Sequence, residues 1–303
     1  MTEQPPRVTV GFATYNVERY LSGAFDAVLA QDYTDFEVVV CDNGSTDCTW
    51  EICQRFADKD SRFRIQQNET NLGYARNMGR LVTLARGEFF RLTSHDDLMA
   101  PTLLSRCVAA LDANPRAVLA YPRGIAIDGE GEVICPSPGE RAYNSPSPSR
   151  RIVDLVRAWE HCNEVFGLIR TDVLRNTRLS GTYISSDRRL LVELIARGEF
   201  ELVDERLFSR RLHEWNSFGS QRAGRAYEWL EPQVARTKRI PTKHTRAGGD
   251  FAKVTIDGVD ALLRSELPLP TRLATAATFG SFFTFRRARI TAGRWRRQLF
   301  RAT

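Results

Sequence analysis

The chain has no run of 18 apolar residues, so no segment of it reads as a membrane-spanning helix. Its first residues, Met1 to Arg7, are polar and carry two prolines, so no signal peptide is read there. The six cysteines (Cys41, Cys48, Cys53, Cys107, Cys135 and Cys162) never form a CxxC pair, which argues against a zinc ribbon and a thioredoxin motif. Reduced thiols in a cytosol are the expectation. No RNP, KH or helix-turn-helix signature is present, no Gly-rich, Lys-bearing phosphate loop follows the first strand, and there is no internal repeat. Acid is missing from one end only. Leu267 to Thr303 holds eight arginines and no Asp or Glu, which leaves the remaining 266 residues at about −2 of the formal +6. The basic character belongs to a tail, not to the body.

What is present is an ordinary globular composition, 42% hydrophobic and 26% charged, which can build a core and is too apolar for a disordered chain. A length of 303 residues allows two domains, or one large α/β domain with an appendage. Over the first 120 or so residues, short β-branched runs alternate with helical periodicity. Strands are predicted at Arg7–Ala13, Phe36–Cys41, Arg62–Gln66, Glu88–Leu92 and Ala117–Tyr121. Helices are predicted at Val17–Gln31, Asp47–Ala57 (capped by Thr46 or Asp47), Gly73–Ala85 and Pro101–Ala113. That order implies βαβ units and a mainly parallel sheet. Cys135 to Arg150, rich in Pro and Ser, reads as a loop or flap outside the core. Further on come helices at Ile152–Trp159 and Asp187–Arg197, an apolar stretch at Glu164–Ile169, and short strands near Phe200–Val203 and Arg206–Leu212. Helices broken by Pro and Gly follow from Arg222.

Ligands of such a sheet bind beyond the carboxyl ends of its strands. Three polar clusters fall there: Thr14-Tyr15-Asn16, Asp42-Asn43-Gly44-Ser45 and Ser94-His95-Asp96-Asp97. Each also has a plainer account. Asp42 opens a turn and a helix, which Asn-Gly and Ser-Thr-Asp serve routinely, or it offers a carboxylate to a nucleobase imide. Asp96 and Asp97 repel each other unless compensated, either by a divalent ion with a diphosphate or simply by the helix start at Pro101. Asn71, Gly73 and Arg76 supply a turn and a guanidinium suited to phosphate, or an ordinary loop with a solvated Arg.

Taken together, VTVGFATYN, FEVVVCDNGSTD, NLGYARN, GEFFRLTSHDDLMAP and SSDRRLLVELIARGEF…RRLHEWNS resemble the family 2, GT-A fold, inverting glycosyltransferases of bacteria, in order from about residue 7 to 218. The resemblance implies a Rossmann-like, mainly parallel central sheet with flanking helices and a helical C-terminal extension. It implies a glycosyltransferase domain at 1–218, with its nucleotide-binding part at about 7–121 and its acceptor and catalytic part at about 122–218, followed by a basic extension at 219–303. It carries roles over to Thr14, Tyr15, Asn16 and Glu18 at the base and ribose, Asp42 at the base imide, and Asn71, Gly73 and Arg76 near the nucleotide and its phosphates. Asp96 faces ribose, sugar or metal. By the same resemblance Asp97 would hold a divalent metal, Mg²⁺ or Mn²⁺, and His213 would contact that metal or the diphosphate. Asp187, which on its own also reads as a helix cap, would by the resemblance be the general base, and Glu193 falls on the interior side of that helix behind it. Ser94 stands where the commoner pattern has an acid, which prompts the alternative of a non-catalytic nucleotide-sugar-binding protein.

The implied reaction moves a sugar from a UDP-, GDP- or dTDP-linked donor to a hydroxyl-bearing glycan or lipid-linked acceptor, as in cell-envelope polysaccharide or glycolipid biosynthesis. Trp159, Trp215 and Tyr183 are candidate sugar-stacking rings. The expected location is cytoplasmic, with peripheral attachment to an anionic membrane through 268–303 as one reading of the tail and packing on the body as the other. Nucleic acid is not an expected partner, because the arginines are confined to one end.

Overall fold

A computed structural model of the protein describes residues 4–137, 140–158, 162–183, 185–213 and 249–281. The first half alternates as the sequence suggests: β1 (Val8–Thr14), α1 (Glu18–Leu29), β2 (Phe36–Asp42), α2 (Thr49–Lys59), β3 (Phe63–Gln67), α3 (Tyr74–Leu84), β4 (Phe89–Thr93), β5 (Leu98–Met99), α4 (Leu103–Ala113) and β6 (Ala117–Ile127). The second half holds β7 (Val133–Pro136), α5 (Pro148–Arg157), a 3₁₀ turn (Asn163–Phe166), β8 (Leu168–Arg170), α6 (Thr171–Arg175), α7 (Ser186–Arg197), β9 (Glu199–Arg211) and α8 (Gly249–Leu263). A further helix, α9, covers 269–281.

The strands form one sheet in the order β3-β2-β1-β4-β8-β6-β9-β5, with β7 paired to β6. The parallel reading holds for β3, β2, β1 and β4, and again for β6 with β9. β8 enters antiparallel between β4 and β6, and β5 and β7 are antiparallel too, so the sheet is mixed. β2 shows why the centre is stable. Val38 and Val40 join one apolar cluster, with α1, α2 and α4, while Val39 and Cys41 join the other, with α3, α5 and α7. Successive strand residues face opposite sides, so a strand covered on both faces reads as a continuous apolar run. Phe25 of α1 sits edge-on to Phe12, Phe56 and Phe63, with ring centroids 5.0, 5.1 and 5.1 Å away. Truncating such a ring costs about 3–5 kcal/mol.

Several local expectations change. Helix α2 starts after Cys48 with no side-chain cap, because Asp47 spends its carboxylate on the amides of Thr49 and Glu18. Helix α4 starts at Leu103, so Pro101 precedes it. The Pro/Ser stretch is not wholly outside the core: Tyr143 is buried, pairs with Phe200 and donates its hydroxyl to Glu164, while the Tyr121 hydroxyl donates to the Arg141 carbonyl. The two short strands after Gly198 are one long β9, which absorbs the polar Asp204-Glu205 pair through register shifts against β6. Helices α8 and α9 pack on the body through Val254, Leu262, Ala276 and Phe279, which join the same apolar cluster as α7. The arginines from Arg286 onward lie outside the described residues, as do Trp159, His161, Trp215 and His244.

Candidate active site

Register places the three polar clusters side by side. β2, β1 and β4 are neighbours, Thr14 pairs with Asp42 in the ladder, and Phe12 pairs with Thr93 just before Ser94. Asp42 is fully buried. It accepts from the Thr14 hydroxyl, the Ser45 hydroxyl and amide, and Gln67 Nε2. Its carboxylate therefore already has four donors, and an imide could join only by replacing a mobile one, such as the Ser45 hydroxyl or the Gln67 amide. Asn16, held at φ 52, accepts from the Thr46 amide, and Glu18 accepts from the Cys48 amide. These two side chains brace the β1 loop against the β2 loop. Tyr15 is half-buried beside them.

The loop before α3 is built from asparagines. Asn43 donates to Asn71 Oδ1, and its own carbonyl oxygen accepts from Asn68 and the Leu72 amide. Asn77 donates to the Cys41 carbonyl and accepts from Asn68. Gly73 turns into α3 at φ 85 and ψ 156, a conformation essentially confined to glycine. Arg76 is exposed, whereas Asn77 beside it is buried and structural. The Asn71 amide nitrogen is buried and has no hydrogen-bond partner among the described residues, an arrangement that costs about 1–3 kcal/mol if nothing satisfies it.

At the β4 end, Asp96 and Asp97 are each 5% exposed. Asp96 accepts from Ser94 Oγ on one oxygen, and its other oxygen lies 2.9 Å from His213 Nε2. Burial opposes its charge, but His95 and the hydrogen bonds from His213 and Ser94 outweigh it and hold Asp96 well below the usual carboxylate range. Asp97 goes the other way: burial first, then the Asp96 charge, push it well above that range, partly countered by the Arg211 amide and the charges of Arg210 and Arg91. One Asp97 oxygen accepts from the Arg211 amide.

Strand pairing explains how Arg211, 114 positions further along the chain, reaches Asp97. β5 follows Asp97 directly and pairs with β9, Leu98 opposite Ser209, so the end of β9 lies over the acidic turn and carries His213 there as well. The Arg211 guanidinium then holds the Asp96, Asp128 and Gly129 carbonyls. Tyr20 of α1 packs its ring 4.9 Å from the His213 ring and 4.7 Å from the Arg211 guanidinium.

Asp187 lies in the first turn of α7 and accepts from the Arg188 amide at 3.0 Å. Burial pushes its carboxyl up, countered by the charge and amide of Arg188 and by the charge of Arg210. Its own charge reaches Tyr74 at the start of α3, Cys162 and Glu164. Arg210 is thus close enough to act on both Asp97 and Asp187, and it donates to Asn163 Oδ1 at 3.1 Å. Burial raises Glu140 and Glu164 as well, on the same wall.

The structure therefore gathers Thr14, Asp42 and Asn71 at the ends of β1 and β2, sets Asp96, Asp97 and His213 together at the end of β4, and leaves Arg210 near enough to Asp97 and Asp187 for its charge to act on both. Glu193 does not reach Asp187; it binds the amide and guanidinium of Arg178. Tyr183 is buried, with Lys253 of α8 4.8 Å from its ring centre, so it presents no open face for a sugar. Arg210 and Arg211 are the main site residues not singled out from the sequence. Their only signal is their place just before His213, inside a stretch whose motif value was already noted.

The family model for Glycosyl transferase family 2 matches residues 9–166. A putative glycosyltransferase of Bacillus subtilis, EpsE, is 34% identical over 108 residues, covering 35% of this chain and 39% of that one. The chain spans about a third of the length of the curated relatives it matches. Among solved structures, S. aureus TarS in complex with UDP aligns with a TM-score of 0.63 at 17% identity, covering 90% of this chain and 70% of that one. A mannosyltransferase from Pyrobaculum calidifontis, in complex with GDP-Man and Mn²⁺, aligns at 0.53 with 19% identity, covering 93% and 84%. The matched family and the shared architecture agree with the polar clusters gathered at the strand ends: the chain belongs to glycosyl transferase family 2 and has the GT-A fold.

Proposed function

We propose that the chain transfers a sugar from a nucleoside diphosphate sugar to an acceptor hydroxyl by a single, inverting displacement, with Asp187 as general base. The observation that carries this reading is the end of β9 lying over the acidic turn, where the Arg211 amide donates to Asp97 and His213 meets Asp96, while the neighbouring Arg210 bears on both Asp97 and Asp187. A donor end and a base end in one crevice are what a direct displacement requires. The nucleoside belongs beside Thr14, Tyr15 and Asp42, with Asn16 and Glu18 shaping that loop, and the unpartnered amide of Asn71 supports an acceptor atom there. The neighbours solved with UDP and with GDP-Man support a nucleotide donor without choosing the base.

A divalent ion fits the residues present. Among the described residues no group of three metal-binding side chains occurs, but Mg²⁺ and Mn²⁺ are commonly held by one or two carboxylates, with substrate phosphates completing the shell. Asp96 is committed to Ser94 and His213. Asp97 has an oxygen left over and a charge that its surroundings disfavour, so Asp97 would hold the ion, and His213, whose Nε2 now meets Asp96, would join it by exchanging that contact for the ion. When bound, such an ion neutralises charge on the departing diphosphate.

The protein's own groups do the rest. Asp187 takes the proton of the acceptor hydroxyl as that oxygen bonds to the anomeric carbon. The bond from that carbon to the diphosphate oxygen breaks on the opposite face, and Arg210 and Arg76 bring positive charge to the leaving group. Residues 1–218 would form the transferase unit. The acidless stretch 268–303, with Leu269 and Leu273 59% and 53% exposed on α9, would meet an anionic membrane at the cytoplasmic face, where a lipid-linked acceptor is presented. No helix among the described residues is long and apolar enough to cross a membrane. The test is a panel of nucleotide sugars and hydroxyl acceptors with the product's anomeric configuration read by NMR. Inversion is expected; retention of the donor's configuration would overturn the single displacement.

A further inference from the structure

Asp187 is delivered by a segment that carries unusual backbone. Between α6 and α7 the chain passes through two left-handed non-glycine residues, Leu179 at φ 54 and Ser185 at φ 65, and α7 begins without a side-chain cap. Backbone of this kind persists only where its surroundings over-determine it. The surroundings here are an ionic knot that reaches out to the C-terminal helix α8. Arg178 gives its amide and Nε to Glu193 of α7, at 2.9 and 2.8 Å. The far side of the same guanidinium donates to Asp260 Oδ2 at 2.7 Å and to the Asp257 carbonyl at 3.0 Å. Arg189 of α7 donates to the Leu179 and Arg178 carbonyls, at 2.6 and 3.2 Å, and lies 3.8 Å from Asp257 Oδ2. Lys253, paired with Asp257 at 3.3 Å, covers the ring of Tyr183.

Arg189 thus holds the backbone carbonyls of Arg178 and Leu179, while Arg178, the residue just before Leu179, is tied to Glu193 of α7 on one side and to α8 on the other. Glu193 is 4% exposed and is the α7 carboxylate that faces both guanidinium groups, so without α8 it would serve two cations. Val254 and Leu262 already bury the apolar face of α8. Its acidic face was free to point at solvent, and it points at this loop instead.

We propose that α8 is a positioning element for the catalytic loop: Asp257 and Asp260, acting through Arg178 and Arg189, hold the Leu179–Ser185 segment in the path that sets Asp187 at the crevice. This rests on the reading of Asp187 as the base. Neither carboxylate touches substrate. The consequence is that a C-terminal segment outside the 9–166 family match controls the rate of the transfer step and not the affinity for the donor.

The test uses the full chain with Asp257→Asn and Asp260→Asn together. Amide hydrogen exchange across 179–187 should quicken about fivefold to tenfold, the scale on which a small network of partly screened ion pairs acts. The kcat of transfer should fall by a similar factor while the donor KM stays within about twofold. Glu at both positions should restore both readouts. Should the double variant fold poorly, Asp260→Asn alone, at a more exposed position, is read the same way. Unchanged exchange in 179–187 would overturn the proposal, and so would a loss of protection spread evenly over the whole sheet. If Asp187→Asn keeps near wild-type transfer, the base assignment is at fault, whereas the exchange data still report whether α8 holds the loop.

Discussion

Replacing Asp187 with Asn separates chemistry from architecture. The carboxylate accepts one described hydrogen bond, from the Arg188 amide, and an Asn side-chain oxygen of the same shape keeps it. The structural cost is therefore under about 1 kcal/mol. What is removed is proton acceptance, worth about 10²–10⁴ in rate, or roughly 3–5 kcal/mol of barrier. The sign of the stability effect can be worked out as well. Burial raises the folded-state pKa of Asp187 above the ordinary carboxylate value. Its contribution to stability is then fully present below the unfolded pKa and lost as pH rises through the folded one. At any pH above the folded-state pKa the wild type bears a buried charge that the Asp187→Asn variant lacks, so there the variant should melt at or above the wild-type Tm, and the gap should close as pH falls through that pKa. Asp187→Ala, which leaves the Arg188 amide without its acceptor, should lie about 0.5–1.5 kcal/mol below Asp187→Asn. The assay pairs initial transfer rates with melting curves from pH 4 to pH 8, where wild-type activity should rise with pH as the base loses its proton. An Asp187→Asn protein that retains a tenth or more of the wild-type rate, or that loses stability at pH 8, would refute the reasoning.

Gly73→Ala should destabilise by about 1–3 kcal/mol and weaken nucleotide binding, since φ 85 with ψ 156 is a glycine conformation and fixes the start of α3; urea melts and donor titration check it. Arg294, Arg296 and Arg297 changed together to Gln should abolish flotation with anionic vesicles, at about 1 kcal/mol for each arginine that meets a membrane, and leave transfer to a soluble acceptor intact. Equal flotation would remove the membrane reading. Deleting everything from residue 268 is a poor substitute, because Thr275, Ala276 and Phe279 of α9 are buried in the body.

Strands β1 and β2 were legible because each is a short, nearly continuous run of buried β-branched and apolar residues, the pattern that covering both faces demands, and β3 and β4 followed from their alternation with helices. Their shared ligand end followed from the same logic. The second half was less legible for identifiable reasons. β5 is two residues long, below any periodic signal, yet it lays β9 over the acidic turn. β8 is three residues long, and only tertiary pairing decides that it runs antiparallel. Tyr143 lies in a Pro- and Ser-rich stretch whose composition hides one buried ring. Asp187 was legible as an acid opening a helix. Arg210, which links it to Asp97, was not, because nothing local distinguishes it from Arg211 or from the many solvated arginines. Glu193 looked like support for Asp187 and instead pairs with Arg178, on the segment that leads to α7.

The central claim is that one crevice has a donor end resting on Asp97 and a separate base end resting on Asp187. The most direct measurement is the melting temperature of three proteins, wild type, Asp97→Asn and Asp187→Asn, against a panel of UDP-, GDP- and dTDP-sugars with Mg²⁺ or Mn²⁺. A ligand that binds only the folded state at about 100 times its Kd adds about 2.7 kcal/mol of stability. One donor should raise the Tm of the wild type and of Asp187→Asn equally and leave Asp97→Asn unmoved. A panel that shifts none of the three, or shifts all three alike, would contradict the account.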